Sequence, residues 1–245
     1  MGSGVAIVTG GGRGIGRAIV ARLAAEGYKV VTCGRGARPD DLDTAVDWVQ
    51  ADVARPGDAE RINEAAGDAA LLVNNAGVQV EKTVTESSDT DWDAVVGVNC
   101  RGVFNMCRAV LPGMERRGGS IVNIGSISGR AADPSMALYN ASKACVHGLT
   151  RSIAVDHGPR VRCNAVCPGW IMTEMAEDAF ALARDPEAAR RDALTRHPVG
   201  RMGTPEDIAN MVAWLASDAA AYVSGACFTV DGGMTAASPL RPGVF

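Results

Sequence analysis

The chain has 245 residues, 47% of them hydrophobic, and its 24 basic and 28 acidic residues give a net charge of −4. This length and composition favour one folded domain over residues 1–245 and exclude a mainly disordered chain. The acidic excess argues against a protein that binds nucleic acid through its phosphates. Since no apolar run reaches the ~20 residues that cross a bilayer, we expect a soluble, cytoplasmic protein that binds neither membranes nor nucleic acid.

Strands and helices alternate along the chain. Short β-rich runs predict strands at 4–9, 28–34, 48–53, 70–77, 119–126, 160–169 and 226–233. Apolar residues at helical spacing predict helices at 14–27, 56–67, 92–117, 137–157 and 205–216, the third interrupted near Asn99. Because the strands are apolar almost throughout, both faces of the sheet are expected to be covered. The prediction is an α/β fold, a doubly wound parallel sheet (Rossmann-like) of about seven strands with helices on both faces.

Two segments lie outside this alternation. The stretch 170–203 is polar, charged and helical in character, and we expect it to form a substrate lid over the end of the sheet rather than a second domain. The tail 235–245 carries two prolines and little pattern, and it could reach a neighbouring subunit.

The seven cysteines are predicted to be reduced, small apolar residues. Their number is odd and they form no C-x-x-C pair, which is typical of neither a disulfide framework nor a zinc site. No histidine is expected to cluster with them, and no metal is predicted. The positions concerned are Cys33, Cys100, Cys107, Cys145, Cys163, Cys167 and Cys227, with His147, His157 and His197.

A glycine-rich turn, TGGGRGIG at 9–16, follows the first strand and opens the first helix. Gly10 permits a tight turn, Gly14 lets a phosphate approach the backbone, and Gly16 allows the helix to pack close to the sheet. The free N–H groups at the start of that helix favour an anion. Although the spacing is G-x-x-x-G-x-G rather than G-x-G-x-x-G, its position between strand and helix predicts a dinucleotide-binding site.

The end of the second strand bears on which dinucleotide binds. A carboxylate there would bind the ribose hydroxyls and repel a 2′-phosphate, but the chain has Cys33-Gly34-Arg35-Gly36. Arg35, with Arg13 in the glycine turn, suits a phosphate on the adenosine ribose, so NADP(H) is favoured. Arg35 could instead be a solvated charge at a strand end, and NAD(H) stays possible.

Three residues have the chemistry of a proton relay. Tyr139 and Lys143 are four residues apart and share one face of a predicted helix, and Ser126 ends the fifth predicted strand. A free tyrosine has a pKa of ~10, which a neighbouring ammonium and an oxidised nicotinamide ring would lower. Ser126 can donate a hydrogen bond to a substrate oxygen. The trio therefore predicts proton transfer to or from an alcohol oxygen.

Over nearly its whole length the chain resembles the short-chain dehydrogenases/reductases, in their compact single-domain, 3-oxoacyl reductase-like form. The resemblance is carried by TGGGRGIG, Asp52-Val53, Asn74-Asn75-Ala76-Gly77, Asn99, Ser126, Tyr139-Asn140-Ala141-Ser142-Lys143, Pro168-Gly169 and the late VDGG. It implies that Tyr139 is the general acid/base, that Lys143 lowers its pKa and binds the nicotinamide ribose, and that Ser126 polarises the carbonyl.

The same resemblance implies further contacts with the cofactor. Asn99 would hold a water that links Lys143 to solvent. Asp52 and Val53 would flank the adenine, and Ile171 and Thr173 would meet the carboxamide. The full set of residues implied to bind the cofactor is Gly10, Arg13, Gly14, Ile15, Gly16, Arg35, Asp52, Val53, Asn75, Ala76, Gly77, Tyr139, Lys143, Pro168, Gly169, Ile171 and Thr173.

The predicted function is that of an NADP(H)-dependent oxidoreductase that interconverts a ketone and a secondary alcohol. The alternatives are an NAD-dependent dehydrogenase of a cyclic alcohol or diol and a redox-sensing protein that binds the cofactor without turnover. A substrate pocket is expected near Gln79, Ser128, Arg130, Met136, Trp170 and Met175. The resemblance implies a homotetramer built from the helices at 101–117 and 137–157 and the last strand.

Overall fold

A single parallel sheet organises the structure. The computed structural model describes residues 4–236, except for the side chains of Met175 and Ala179. The sheet order is β3-β2-β1-β4-β5-β6-β7, with every pairing parallel. This confirms the predicted doubly wound α/β fold. The strands are β1 (Val5–Thr9), β2 (Lys29–Gly34), β3 (Asp47–Gln50), β4 (Ala69–Asn74), β5 (Gly119–Ile124), β6 (Val161–Pro168) and β7 (Cys227–Val230).

Helices cover both faces of the sheet. Helices α1 and α8 pack together on one face, and α2, α4 and α5 cover the other. The helices are α1 (Gly14–Ala25), α2 (Pro56–Ala66), α3 (Asp89–Val96), α4 (Val103–Arg117), α5 (Ala137–Asp156), α6 (Glu174–Ala181), α7 (Pro186–Thr195) and α8 (Pro205–Ala216).

The central strands explain why the core has two halves. Successive side chains of a strand point to opposite faces. In β1, Ala6 and Val8 pack with α1 and α8, whereas Ile7 belongs to the cluster on the α2 and α4 side. All three side chains are fully buried. Near-continuous apolar strands are therefore the expected consequence of helices on both faces.

The third strand is shorter than its prediction of 48–53, because the chain turns away after Gln50. The Asp52 side chain accepts a hydrogen bond from the backbone N–H of Ala54, and the Asp52 N–H donates to Asp58 at 2.8 Å. This side-chain-stabilised turn competes with the strand ladder. This turn leaves Asp52 and Val53 beyond the carboxyl end of β3.

The predicted interruption near Asn99 is present. Helix α3 begins at Asp89, earlier than predicted, because Ser88 and Asp91 form a capping box. Residues Gly97–Gly102 then form a π-helical turn before α4. Such turns often occur at functional sites. This one brings the buried Asn99 side chain next to the loop that follows β4.

The order of strands locates the cleft. The chain moves from β1 outward to β3 and then crosses back so that β4 pairs with the other side of β1. In open α/β sheets, ligands bind beyond the carboxyl ends of the strands at this reversal. Within residues 4–236, no helix has the length and apolar character needed to cross a membrane. The tail prediction for 235–245 falls largely on 237–245, outside the described residues.

Candidate active site

A cleft of about 390 Å³ opens at the carboxyl edge of the sheet. All of the residues that the sequence suggested for cofactor binding line it, from the glycine turn at 10–16 to Thr173. Ser126, Tyr139 and Lys143 line the same cleft, whereas Asn99 lies buried behind its wall. One cavity thus contains the nucleotide-binding and the proton-relay motifs.

The glycine turn presents unsatisfied backbone donors to the cleft. Arg13 occupies the N-cap position of α1, but its side chain makes no capping hydrogen bond, and the first turn holds no acidic residue. By contrast, Ser88 caps α3 and Thr204 caps α8 through side-chain oxygens. Free N–H groups and the helix dipole favour an anion at the start of α1. The observation fits the pyrophosphate of a dinucleotide.

Glycine is required at two positions of this turn for lack of space. A Cβ on Gly16 would lie 2.2 Å from the carbonyl oxygen of Gly10. A Cβ on Gly11 would lie 2.1 Å from the Thr32 hydroxyl, which accepts a hydrogen bond from the Gly11 N–H. At Gly11 and Gly16 the backbone therefore lies so close to neighbouring atoms that there is no room for a Cβ.

Asn75 and Thr9 hold the turn in position. The Asn75 side-chain amide donates to the carbonyls of Thr9 and Gly10, at 2.9 and 3.1 Å. The Thr9 hydroxyl in turn accepts the backbone N–H groups of Asn75 and Ala76, both at 3.0 Å. The Asn75 side chain is thus engaged by the turn, so its amide shapes the site from behind.

The adenosine end of the cleft bears two arginines with different surroundings. Arg35 is exposed, lines the cleft and forms no ion pair among the described residues. Arg13 forms an ion pair of 2.8 Å with Glu174 at the start of α6. Beneath them the Trp48 ring packs against Gly34, where a Cβ would approach to 2.6 Å. A positive charge without a carboxylate is therefore present at the end of β2.

The three residues of the predicted relay lie close together in this cleft. Helix α5 carries Tyr139 and Lys143, with the Lys143 ammonium 5.5 Å from the centre of the Tyr139 ring. Tyr139 and Ser126 line the same cleft, and the Ser126 hydroxyl favours the ionised form of Tyr139. The Lys143 Nζ donates to the carbonyl oxygen of Ile124 at 2.8 Å, which fixes the ammonium against the end of β5.

Burial changes the acidity of both groups. It raises the pKa of Tyr139 to about 12, an effect that the Ser126 hydroxyl opposes and the Asp133 carboxylate reinforces. It also lowers the pKa of Lys143 to about 8. Desolvation disfavours both charged forms, so the lowering of the tyrosine pKa by Lys143 together with an oxidised nicotinamide ring stays a prediction. Additional positive charge is needed to favour the phenolate.

Asn99 connects the relay helix to the loop after β4. Its side-chain amide donates to the carbonyl of Val78 and to the hydroxyl of Ser142, both at 2.9 Å. Its side-chain oxygen accepts the Val78 N–H at 2.9 Å. Both amide N–H groups are used by the protein, and the side-chain oxygen keeps one acceptor position beyond its bond to Val78.

The substrate end contains an acidic residue that the sequence reading did not identify. Asp133 accepts a hydrogen bond of 2.9 Å from Ser128, whose hydroxyl is 3.1 Å from that of Ser126. This chain of hydroxyls ends at a carboxylate inside the cleft. No motif marks Asp133, since it lies in the irregular loop before α5 and only the fold brings it to Ser128.

The expected substrate pocket is reproduced in part. Gln79, Ser128, Met136 and Trp170 line the cleft, whereas Arg130 does not and instead donates to the carbonyl of Cys227. Arg130 ends the short 3-10 turn after β5, and its side chain extends toward β7. The side chain of Met175 lies outside the described part of the structure.

The segment 170–203 is closed at its base. Gly203 N–H donates to the Trp170 carbonyl at 3.0 Å, and the Met172 N–H donates to the Gly203 carbonyl at 2.9 Å. Helices α6 and α7 lie between these bonds. The Trp170 and Phe180 rings stack with their centres 5.2 Å apart. The segment therefore leaves and rejoins the sheet at one point and covers the cleft with α6.

The cysteine prediction needs one correction. The side chains of His147, Cys167 and Cys227 lie together, with their potential ligand atoms all within 4.8 Å of one another. The sequence did not reveal this because the three residues are distant in the chain and meet only where α5 packs on β6 and β6 pairs with β7. The other histidines lie elsewhere, with His157 bonded to Glu115 and His197 to the Ala193 carbonyl.

Fold and site together define a nucleotide-binding α/β oxidoreductase, and comparison with known proteins gives the family. A family model described as enoyl-(acyl carrier protein) reductase matches residues 10–235. The chain is 42% identical to 2-(S)-hydroxypropyl-CoM dehydrogenase 3 of Xanthobacter autotrophicus, over 95% of this chain and 96% of that one. It is 38% identical to the 3-oxoacyl-(acyl-carrier-protein) reductase of Thermotoga maritima, over 94% and 97% of the two chains.

A solved structure agrees with these relatives. The ligand-free aldohexose dehydrogenase of Thermoplasma acidophilum superposes with a TM-score of 0.91 at 35% identity, covering 98% of this chain and 96% of that one. The chain belongs to the short-chain dehydrogenase/reductase family. It is an oxidoreductase that acts on CH–OH or carbonyl groups of small molecules.

The burial of Lys143 gives a prediction about stability. Between pH 8 and 10.5 the unfolded chain keeps the lysine proton that the folded chain has lost, so the free energy of unfolding should rise with pH. Below that range the buried ammonium costs about 3 kcal/mol. Lys143→Met should therefore be at least as stable as the parent at neutral pH, and urea unfolding across the range measures this.

The exposed Lys29 offers the matched control, Lys29→Met. Other groups titrate in the same range, so the informative quantity is the difference between parent and variant. The difference in free energy of unfolding between parent and Lys143→Met could stay constant from neutral pH to the ordinary lysine pKa. That result would show that the pKa of Lys143 is not lowered.

Proposed function

We propose that this protein is an NADP(H)-dependent oxidoreductase that interconverts a ketone and a secondary alcohol. The observation that carries the proposal is the convergence of Ser126, Tyr139 and Lys143 in the same cleft as the uncapped start of α1. A phosphate-binding helix start or an acid/base pair alone occurs in proteins of many functions. Because both lie in one cleft here, they favour proton transfer coupled to the chemistry of a dinucleotide.

The cofactor would be held by backbone more than by side chains. Its pyrophosphate would bind the N–H groups at Gly14 and Ile15, and the cleft beside Asp52 and Val53 would take the adenine. Pro168, Gly169, Ile171 and Thr173 would flank the nicotinamide end, opposite Ala76 and Gly77. When bound, the nicotinamide supplies the hydride, or accepts it in the reverse direction.

The side chains of the relay would manage the proton. In reduction, the Tyr139 hydroxyl donates its proton to the carbonyl oxygen of the substrate, and Ser126 donates a hydrogen bond to the same oxygen as negative charge develops. Lys143 stabilises the phenolate that remains. Asn99 positions α5 through Ser142, so it would keep Lys143 aligned with the tyrosine. In oxidation, the phenolate accepts the proton instead.

The positive charge that the phenolate needs would come from two sources. Burial alone keeps the pKa of Tyr139 near 12, so Lys143 must act together with the oxidised nicotinamide ring. The buried ammonium is itself reluctant to stay charged, since burial lowers its pKa. Contact with the ribose would give Lys143 further hydrogen-bond acceptors and favour its charged form.

Charge favours NADP(H) over NAD(H). Arg35 is available at the end of β2, where no carboxylate would repel a 2′-phosphate. Arg13 would contribute if its exposed ion pair with Glu174 opened. Exposed pairs of this kind are worth ~0–1 kcal/mol, so a phosphate could displace Glu174 at little cost.

The substrate end favours a neutral molecule with hydrogen-bonding groups. Of the carboxylates that line the cleft there, Asp133 is bonded to Ser128, Glu81 is exposed, and Glu174 is paired with Arg13. Met136 and Trp170 add apolar surface. The segment 170–203 would act as the lid of a single domain over residues 1–245, since its ends are joined at Trp170 and Gly203.

The alternative of an NAD-dependent dehydrogenase of a cyclic alcohol or diol draws on the resemblance to the aldohexose dehydrogenase and on the acidic substrate end. It shares the relay and differs in the cofactor. A redox-sensing protein without turnover is disfavoured, because such a protein has no use for the complete set of Ser126, Tyr139 and Lys143.

We also propose a homotetramer. The elements expected to form its interfaces each expose a large apolar side chain, with Phe104 on α4, Val155 on α5 and Tyr222 just before β7. If these side chains form one patch, it would be an interaction surface. The location is expected to be cytoplasmic.

Removal of the Tyr139 hydroxyl tests the relay. Tyr139→Phe should lower kcat for ketone reduction by about a factor of 1,000, because general acid catalysis contributes roughly 10² to 10⁴. Binding of NADPH should be unchanged, as measured by fluorescence titration. The assay should start from a panel that pairs neutral hydroxyketones with keto acids of similar size.

Tyr222→Phe is the matched control, since this tyrosine is fully exposed and distant from the cleft. A Tyr139→Phe enzyme that retained most of the parental kcat would remove tyrosine from the acid/base role. Loss of NADPH binding in the same variant would mean that the hydroxyl serves binding rather than proton transfer.

Arg35 tests the choice of cofactor. Arg35→Ser should raise the KM for NADPH by at least about tenfold, because a charged hydrogen bond to phosphate is worth ~1.5–3 kcal/mol. The KM for NADH should change little. Steady-state kinetics with both cofactors gives the ratio, and Arg116→Ser on the exposed end of α4 is the control. Equal changes in both KM values would contradict a role in phosphate recognition.

Light scattering after size exclusion tests the assembly. The expected mass is four times that of the 25.3 kDa chain. Phe104→Glu, on exposed surface of α4, should shift the mass toward a dimer because it introduces charge into the proposed interface. An odd-numbered assembly in the parent protein is incompatible with the proposal.

A further inference from the structure

A cluster of soft ligands lies behind the catalytic wall, apart from the relay. His147 extends from α5, Cys167 from the end of β6, and Cys227 from the start of β7. His147 and Cys167 are buried, whereas Cys227 is partly accessible along the edge strand. The His147 Nε2 lies 3.1 Å from the Cys167 sulfur. None of the three groups has a role in the proposed reaction.

The register of the strands distinguishes a metal site from a disulfide. Ala165 is paired with Cys227 and Cys167 with Thr229, so the cysteines are two residues out of register on neighbouring strands. Strands ~4.8 Å apart with a rise of ~3.3 Å per residue then separate the two Cα atoms by roughly 8 Å. A disulfide tolerates at most about 7 Å without movement of the backbone. An ion between the sulfurs has no such requirement.

The distances between ligand atoms suit a tetrahedral ion. Zinc binds sulfur at ~2.3 Å and imidazole nitrogen at ~2.0 Å, which puts tetrahedral ligand atoms roughly 3.5–3.8 Å apart. Here the nitrogen and the two sulfurs all lie within 4.8 Å of one another. Small side-chain rotations would bring them to one centre.

The imidazole is held in place by backbone on the catalytic side. A Cβ on Gly125 would approach the His147 Nε2 to 2.7 Å, and one on Gly129 would approach its Cε1 to 2.3 Å. These glycines flank Ser126, and a Cβ on Gly125 would also lie 3.1 Å from the Cys167 sulfur. The ligands are therefore oriented before an ion arrives, which lowers the cost of binding.

We propose that His147, Cys167 and Cys227 bind a soft divalent metal ion, of which zinc is the best match. Two thiolates and a neutral imidazole would balance the charge of Zn²⁺, which matters because the Arg130 guanidinium lies close to Cys227. A fourth position would be open on the side of Cys227, where the site reaches the surface. The proposal goes beyond the reaction described above and does not depend on it.

Zinc titration tests the site directly. The chelator-treated enzyme is titrated with ZnCl₂ in a calorimeter, and one zinc should bind per chain. Cys227→Ser should weaken binding by at least about 100-fold, because even supporting groups of metal sites are worth 10–100-fold. Cys145→Ser and His157→Gln are matched controls outside the cluster and should bind zinc like the parent.

Cobalt provides a second readout on the unmodified chain, in case the variant does not fold. Bound Co²⁺ should show the near-ultraviolet thiolate-to-metal absorption band and the intense visible bands of a tetrahedral site, and zinc should displace both. The proposal is overturned if the parent binds no zinc, if cobalt shows no thiolate band, or if Cys145→Ser rather than Cys227→Ser abolishes binding.

Discussion

The burial of an ammonium beside a phenol is the constraint on which the site depends. Lys143 is packed under the cleft with one hydrogen bond, to the carbonyl of Ile124, and Tyr139 lies beside it. Desolvation disfavours the charged form of each group. In the protein without cofactor it therefore raises the pKa of Tyr139 and lowers the pKa of Lys143. Proton abstraction by Tyr139 at neutral pH would then need positive charge from the bound cofactor, and this need would link proton transfer to occupancy of the nucleotide site.

The fold makes this arrangement possible by forming the cleft and by holding the segments around it in place. The switch point between β1 and β4 opens the cleft, and the uncapped start of α1 gives it an anion-binding end. Asn75 fixes the glycine turn from behind, and Asn99 ties the loop after β4 to α5. These amide side chains hydrogen-bond to the protein's own backbone and hydroxyls, so they hold the glycine turn and the loop after β4 in place.

Much of this could be predicted from the sequence because it rests on local patterns. The alternation of apolar strands and helices predicted the parallel sheet. The spacing of Tyr139 and Lys143 predicted that both lie on one face of a helix. Asp133 and the cluster at His147 could not be predicted, since each depends on which loops and strands become neighbours in space. The desolvation of Tyr139 and Lys143 also escaped prediction, because the sequence reveals a neighbouring charge and not the depth at which it is packed.

The ionisation of Tyr139 tests this account most directly. With carbon-13-labelled tyrosine, the NMR titration of the three tyrosine rings can be followed in the free enzyme and in its complex with NADP⁺, and Tyr139→Phe assigns the signal. The account predicts a pKa well above the ordinary value of 10.0 in the free enzyme and a fall of that pKa in the complex. A pKa of Tyr139 at or below the ordinary tyrosine value in the free enzyme would contradict the account.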